Sequence, residues 1–169
     1  QNFTSATDNY NIGIGYSAGA GITTGTFNTL IGGNAGDALA DADFNVALGY
    51  NALSADTLGS KSVAIGLSAL AAQNFTSATN VFNVAVGFQA GFAVTTGIQN
   101  TLIGGLAGDS NTTGASNTAV GYNSLGANTT GANNVALGTF SLDQNIDAVS
   151  NTAIGYAALS TSNGSNNTA

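Results

Sequence analysis

Residues 45–49 read Asn-Val-Ala-Leu-Gly. Val46 and Leu48 fall on one side of an extended chain and Ala47 on the other, the period of two expected of β structure. The same five-residue pattern starts at Asn11, Asn28, Asn45, Ser62, Asn83, Asn100, Asn117, Asn134 and Asn151. Every step between starts is 17 residues except that from Ser62 to Asn83, which is 21. Position 2 is Ile, Val or Thr, position 4 is Ile, Val or Leu, and position 3 is Ala, Leu or Gly. Each copy predicts a short strand, and a second short strand is expected after it, as in Tyr50-Asn51-Ala52-Leu53. A polar stretch then closes the coil, often Thr-Thr-Gly, as at 23–25, 95–97, 112–114 and 129–131. No stretch has helical spacing long enough to compete.

A fixed period of this size belongs to stacked repeats rather than to a globule. The predicted fold is all-β: an elongated parallel β-solenoid, or β-roll, of about nine 17-residue coils. At ~4.8 Å per coil it is roughly 45 Å long. A larger unit lies over the first. Residues 1–72 align without a gap on 73–144, with 36 of 72 pairs identical. The array is therefore read as one domain over 1–169: two super-repeats and a partial copy at 145–169. A further copy opens at Asn167, and neither end resembles a capping repeat, as expected of a window from a longer array.

Stacking turns each motif position into a column along the rod. The column of Asn11, Asn28, Asn45, Asn83, Asn100, Asn117, Asn134 and Asn151 is expected to bond amide to amide between coils. The column of Gly15, Gly32, Gly49, Gly66, Gly87, Gly104, Gly121, Gly138 and Gly155 predicts a bend with positive φ, or a backbone approach too close for a Cβ. Ala or Ser at position 8 of every coil suits a thin interior. Two assignments of the faces follow. With small residues inside, the aliphatics Val46 and Leu48, Val63 and Ile65, Val84 and Val86, Val135 and Leu137 form an outward stripe that needs a partner. A closed trimer would bury three such stripes on one axis. In the inverse arrangement, the aliphatics fill a single-chain solenoid and Ala faces out.

Composition narrows the function. The 169 residues hold one cation, Lys61, and eight acids, all Asp, for a net charge of −7. That balance disfavours nucleic acid and anionic lipid, since phosphate binding needs clustered cations. No apolar run approaches the ~18 residues of a membrane span. With no His, Cys or Glu there is no Ser/His/Asp or Cys/His arrangement and no zinc site, so no enzyme is predicted and no cofactor is expected.

The Ser62-Val63-Ala64-Ile65-Gly66 copy resembles the core motif of trimeric autotransporter adhesin heads, the YadA-like left-handed parallel β-roll. The Asn134–Gly138 and Asn151–Gly155 copies are similar. The wider Asn-Thr-Ala-Ile-Gly-Tyr pattern also resembles repeats of bacteriophage tail fibres and large bacterial surface proteins. The resemblance covers essentially the whole chain. It implies a left-handed roll that trimerises, projects from a cell or virion and adheres to host glycans or matrix. This chain departs from the family in its 17-residue repeat, longer than usual, and in Thr at position 2 of four copies. The function expected is thus an extracellular structural rod or fibre segment with an adhesive role. The competing expectation is a glycan- or surface-binding module using the loops 71–82 and 36–44.

Weaker signals remain. Asp37, Asp41 and Asp43 share one loop and are the only metal candidates; solvated surface carboxylates are the simpler reading. Gly32–Asp37 and Gly104–Asp109 resemble the calcium nonapeptide but miss its third glycine by one residue. Tyr16, Tyr50, Phe88, Tyr122 and Tyr156 follow the motif glycine and are read as packing between coils, with sugar stacking as the alternative. No regular Thr-x-Thr array suited to ice is present. Asn2, Asn74, Asn111, Asn128, Asn163 and Asn166 open Asn-x-Ser/Thr sequons, possible glycosylation sites.

Overall fold

The computed structural model describes residues 9–169. Its strands, in chain order, are β1 Ile12–Ile14, β2 Thr29–Ile31, β3 Val46–Leu48, β4 Gly59–Ser60, β5 Val63–Ile65, β6 Thr79–Asn80, β7 Val84–Val86, β8 Thr101–Ile103, β9 Thr118–Val120, β10 Val135–Leu137 and β11 Thr152–Ile154. One strand from each coil enters a single nine-stranded sheet in chain order, and β4 and β6 form a separate pair. All pairings are parallel and place like positions side by side: Val46 on Val63, Ala47 on Ala64, Leu48 on Ile65. The chain is a β-solenoid. The 21-residue coil does not shift the register, since Val63 still pairs with Val84. Its four extra residues are taken up in the loop, where β4 pairs with β6 and Phe75 and Val81 turn inward.

The expected second strand is absent, and Tyr50–Leu53 forms reverse turns instead. Asn51 and Leu53 both have φ of 54°. The Ala52 N–H donates back to the Gly49 carbonyl at 3.4 Å. Left-handed residues recur at the same coil positions, among them Leu53, Leu70, Leu125 and Leu142. Each costs an L-residue about 1–2 kcal/mol. The stack compensates by satisfying the turn backbone between coils: Leu53 N–H donates to the Ala69 carbonyl at 3.0 Å, and Leu70 N–H to that of Ala90 at 3.1 Å.

The motif glycine behaves as expected, on both counts. Gly32 has φ of 132° and Gly49 of 143°. A Cβ on Gly15 would lie 2.6 Å from the Gly32 carbonyl oxygen, and one on Gly32 would lie 2.5 Å from that of Gly49. Left-handed geometry and direct backbone contact with the next coil therefore both require glycine here.

The sheet's faces are now assigned. Ala47, Ala64, Ala85, Ala119, Ala136 and Ala153 at position 3 are fully buried, while positions 2 and 4 are partly or largely exposed. Filling a single-chain core with the aliphatics is thereby excluded. The interior holds more than alanine, however. Where position 3 is Ala47, Ala64, Ala119 or Ala136, position 9 is a buried leucine: Leu53, Leu70, Leu125 or Leu142. Where position 3 is Leu30 or Leu102, position 9 is Gly36 or Gly108. A Cβ on either glycine would stand 2.8 Å from the facing leucine's Cδ2. The preceding coil yields as well, since Gly19 and Gly91 make the same room for Leu30 and Leu102. The leucine thus changes wall while the core volume stays nearly constant, as close packing requires.

The Asn column makes the expected amide-to-amide bond at three steps, Asn28 to Asn11, Asn134 to Asn117 and Asn167 to Asn151, at 3.1, 3.2 and 3.0 Å, but its regular bonds run to the backbone. Asn100 Oδ1 accepts the backbone N–H of Asn117 at 3.0 Å, and Asn100 Nδ2 donates to the Gly114 carbonyl in its own coil at 2.9 Å. The arrangement repeats at Asn28, Asn45, Asn117 and Asn134. Each side chain therefore ties the next coil's entry to its own coil's closure. Amide-to-amide bonding is the rule in a different column, where Asn145 donates to Asn128 at 3.0 Å and Asn128 to Asn111 at 2.9 Å.

Two substitutions test this account. Gly49→Ala places a methyl against the Gly66 backbone at a strongly positive φ, with an expected loss of roughly 3 kcal/mol or more. Asn100→Ala strands the buried N–H of Asn117, at about 1–3 kcal/mol, while Asn111 still donates to the Gly114 carbonyl. Both are read by urea unfolding followed by circular dichroism. A loss below about 0.5 kcal/mol in either would contradict the role given to that column.

Candidate interaction surface

The exposed side of the sheet is apolar along the rod. Its two central columns are positions 2 and 4. Ile12, Ile14, Leu48, Leu137 and Ile154 are each between 43% and 59% exposed. Thr29, Thr101, Thr118 and Thr152 interrupt one column with a hydroxyl and a methyl. On the flank preceding the strands, Tyr10, Phe27 and Phe44 stack face to face, with centroids 5.0 and 5.1 Å apart. Further along that flank, Lys61 Nζ lies 5.4 Å from the centroid of the Phe82 ring, a cation–π contact. Downstream it turns polar, through Gln99, Ser116, Asn133 and Ser150. The opposite flank carries Tyr16, Tyr50, Phe88, Tyr122 and Tyr156, all at least half exposed.

Six residues across and eight coil steps along give this face on the order of 700 Å2. That exceeds the ~300–600 Å2 of the largest apolar patch on a typical monomer. It approaches the ~800 Å2 each partner contributes to a stable interface. Apart from Lys61, the charge lies elsewhere. Asp37, Asp109 and Asp143 occupy position 10, and Asp41 and Asp147 position 14, in the turns and loops that close each coil.

Two of the three metal candidates are engaged otherwise, while Asp37 Oδ1 is buried without a hydrogen-bond partner. Asp41 Oδ1 accepts the Thr24 hydroxyl at 2.6 Å. Asp43 Oδ1 accepts both the backbone N–H and the hydroxyl of Thr26, at 2.7 and 2.8 Å. These carboxylates tie neighbouring coils together. Among the described residues no three acidic groups come close enough to share a metal ion. The glycine pairs resembling a calcium motif serve packing: Tyr50 leans over Gly33, where a Cβ would lie 3.2 Å from its Cδ2.

One buried polar cluster had no warning in the motif. Asp56 is fully buried, and its carboxylate accepts from Gln73 Nε2 at 2.6 Å, Phe75 N at 3.0 Å and Gly59 N at 3.1 Å. Gln73 Nε2 also donates to the Ser62 hydroxyl at 3.0 Å, and Gln73 Oε1 accepts from Asn83 at 2.9 Å. Ser62 stands where every other coil has Asn, too short to bridge two coils. Gln73, one period beyond Asp56 and at the coil position held elsewhere by Asn111, Asn128 and Asn145, reaches into the gap. The signal was that one irregular residue together with the run of polar residues at position 12, where Asp56 and Gln73 stand in the column of Asn111, Asn128 and Asn145.

Two of the sequons are structural. Asn111 and Asn128 are fully buried and donate to the carbonyls of Gly114 and Gly131 at 3.0 Å, so neither can carry a glycan. Asn74, Asn163 and Asn166 are exposed. Asn2 lies outside the described residues. No protein-family model, curated protein or solved structure matches the chain.

Burial is the leading influence on three carboxyls. It raises Asp56, Asp37 and Asp109 above the ordinary value of 3.8, against hydrogen bonds that lower them. A carboxyl raised in the folded state holds its proton more tightly there than in the unfolded chain. Its favourable contribution is complete below pH 3.8 and is lost as the pH rises through the folded value. Stability is therefore expected to be greater near pH ~4 than at pH ~7. Urea unfolding at both pH values checks this, with Asp56→Asn narrowing the difference. A wild-type protein less stable at the lower pH would contradict it.

Proposed function

We propose that this chain is a segment of an extracellular rod or fibre in which three copies pack along their apolar faces. Its work is mechanical: it spans distance and holds an adhesive element away from the surface that carries it. One observation carries the reading. A solenoid closed by backbone hydrogen bonds leaves a largely apolar face at positions 2 and 4 that, together with its flanks, approaches one partner's share of a subunit interface. Burying it at about 25 cal/mol per Å2 favours association strongly, even after the cost of immobilising the partners. The low charge removes the repulsion that would keep copies apart. The resemblance to trimeric adhesin heads favours three copies over two, since a closed ring covers every face. The Thr at position 2 makes the contact less apolar and loosens it in the coils of Thr101 and Thr118.

Sedimentation velocity and light scattering test the assembly. The expected mass is three times that of one chain. Leu48→Lys combined with Leu137→Lys should shift it to monomer while circular dichroism stays unchanged, because both side chains are already exposed. Thr24→Lys, in a closing loop, should leave the trimer intact. A wild-type chain that is folded and monomeric at tens of micromolar refutes the proposal.

A further inference from the structure

The aromatic residues at position 6 follow a rule the strand columns do not. They occupy every second coil without exception: Tyr16, Tyr50, Phe88, Tyr122 and Tyr156. The coils between carry Gly33, Leu67, Gly105 and Thr139 at that position. In-register stacking therefore sets the rings in a straight row at intervals of two coils, about 9.6 Å. Rings meant only to pack on one another would occupy adjacent coils, as Tyr10, Phe27 and Phe44 do at 5.0 and 5.1 Å. The rings of the row are between 51% and 83% exposed, and those of the Tyr10 stack between 48% and 64%, so what sets the row apart is its spacing. Tyr50 and Tyr122 are laid back over the glycines of the preceding coils, Gly33 and Gly105. Phe140 fills one intervening coil and meets Tyr122 and Tyr156 edge-on, at 5.6 and 6.2 Å.

We infer that this row is a docking surface for an extended, neutral β-1,4-linked glucan chain, as found on the surface of cellulose. Three properties of the row select that occupant. The first is period: such a glucan turns over at each linkage, so equivalent ring faces recur every second sugar, close to the two-coil interval. The second is charge: positions 5 to 9 carry no charged residue in any coil, and Lys61 lies on the opposite flank, so an uncharged polymer is matched and polyanions are not. The third is chemistry. Sugar rings offer apolar C–H faces to aromatic rings and hydroxyls at their edges. The neighbouring column supplies amides for those hydroxyls at Asn34, Asn51, Gln89 and Asn123. A flat row rather than a cleft fits a long chain or a crystalline surface, not a small sugar. The row lies beyond the glycine bend, at the edge of the face, so a contact between copies along the two central columns leaves it open to a glucan.

The test is depletion from solution by microcrystalline cellulose, using the whole chain, with chitin and a polyanionic glycan in parallel. Wild type should bind cellulose. Tyr16→Ala, Tyr50→Ala and Tyr122→Ala combined should weaken binding at least ~10-fold, with unchanged circular dichroism and sedimentation. Tyr50→Phe alone should bind like wild type, because the ring and not its hydroxyl makes the contact. Were the triple variant to misfold, the single Tyr50→Ala variant, reading a several-fold loss, takes its place. No binding to cellulose, equal binding by the alanine variants, or binding to chitin or the polyanion alone would each overturn the inference. None of those outcomes touches the sedimentation result on which the rod reading rests.

Discussion

Nothing may stand on the Cα of the fifth residue in any coil from Gly15 to Gly138. The carbonyl of the next coil's glycine occupies the space a Cβ would fill, and the backbone there adopts a φ that an L-residue resists. That constraint fixes the vertical alignment of successive coils at one point. Once those glycines are superposed, the strand before them and the turns after them fall into register, and every side chain meets its counterpart one period away. The Asn column then acts as a second fixed point, because its oxygen serves the following coil and its amide serves its own. The left-handed turns, costly in isolation, are tolerated only because both anchors hold the coil closed around them.

Most of the fold could be read from the chain because its period is regular. The 17-residue spacing gave the stacking, the alternation gave the strands, and the invariant glycine gave the bend. The second strand was misjudged because Tyr50-Asn51-Ala52-Leu53 alternates in polarity as a strand would; Asn51 tolerates a left-handed backbone and hinted at the turn, but Leu53 gave no such sign. The exchange between Leu at position 3 and Leu at position 9 was present in the letters all along. It becomes intelligible only when both positions are known to point into one narrow space. Similarly, Asn111 and Asn128 look like surface sequons until their column proves to be interior.

The surface was legible in part. Small residues inside implied aliphatics outside, and the exposures of Leu48, Leu137 and Ile154 bear this out. The aspartates offered as metal candidates were grouped by nearness in sequence, but a solenoid brings together residues one period apart, not neighbours along a loop. Thr24 and Asp41, or Thr26 and Asp43, are therefore the real pairs. The repair of Ser62 by Gln73 follows the same logic. An insertion that would wreck a globular core is accommodated here because it only has to satisfy one coil's interior and leave the strand pairing untouched.

The orientation of the backbone hydrogen bonds has a mechanical consequence. They run along the rod, so tension applied to its ends pulls on each rung lengthwise, and the outermost turn, gripped from one side only, gives way first. Peeling off one 17-residue turn gives up about 4.8 Å of rod and releases nearly 60 Å of chain. Under load such a stack would lengthen in steps and dissipate a sudden pull turn by turn.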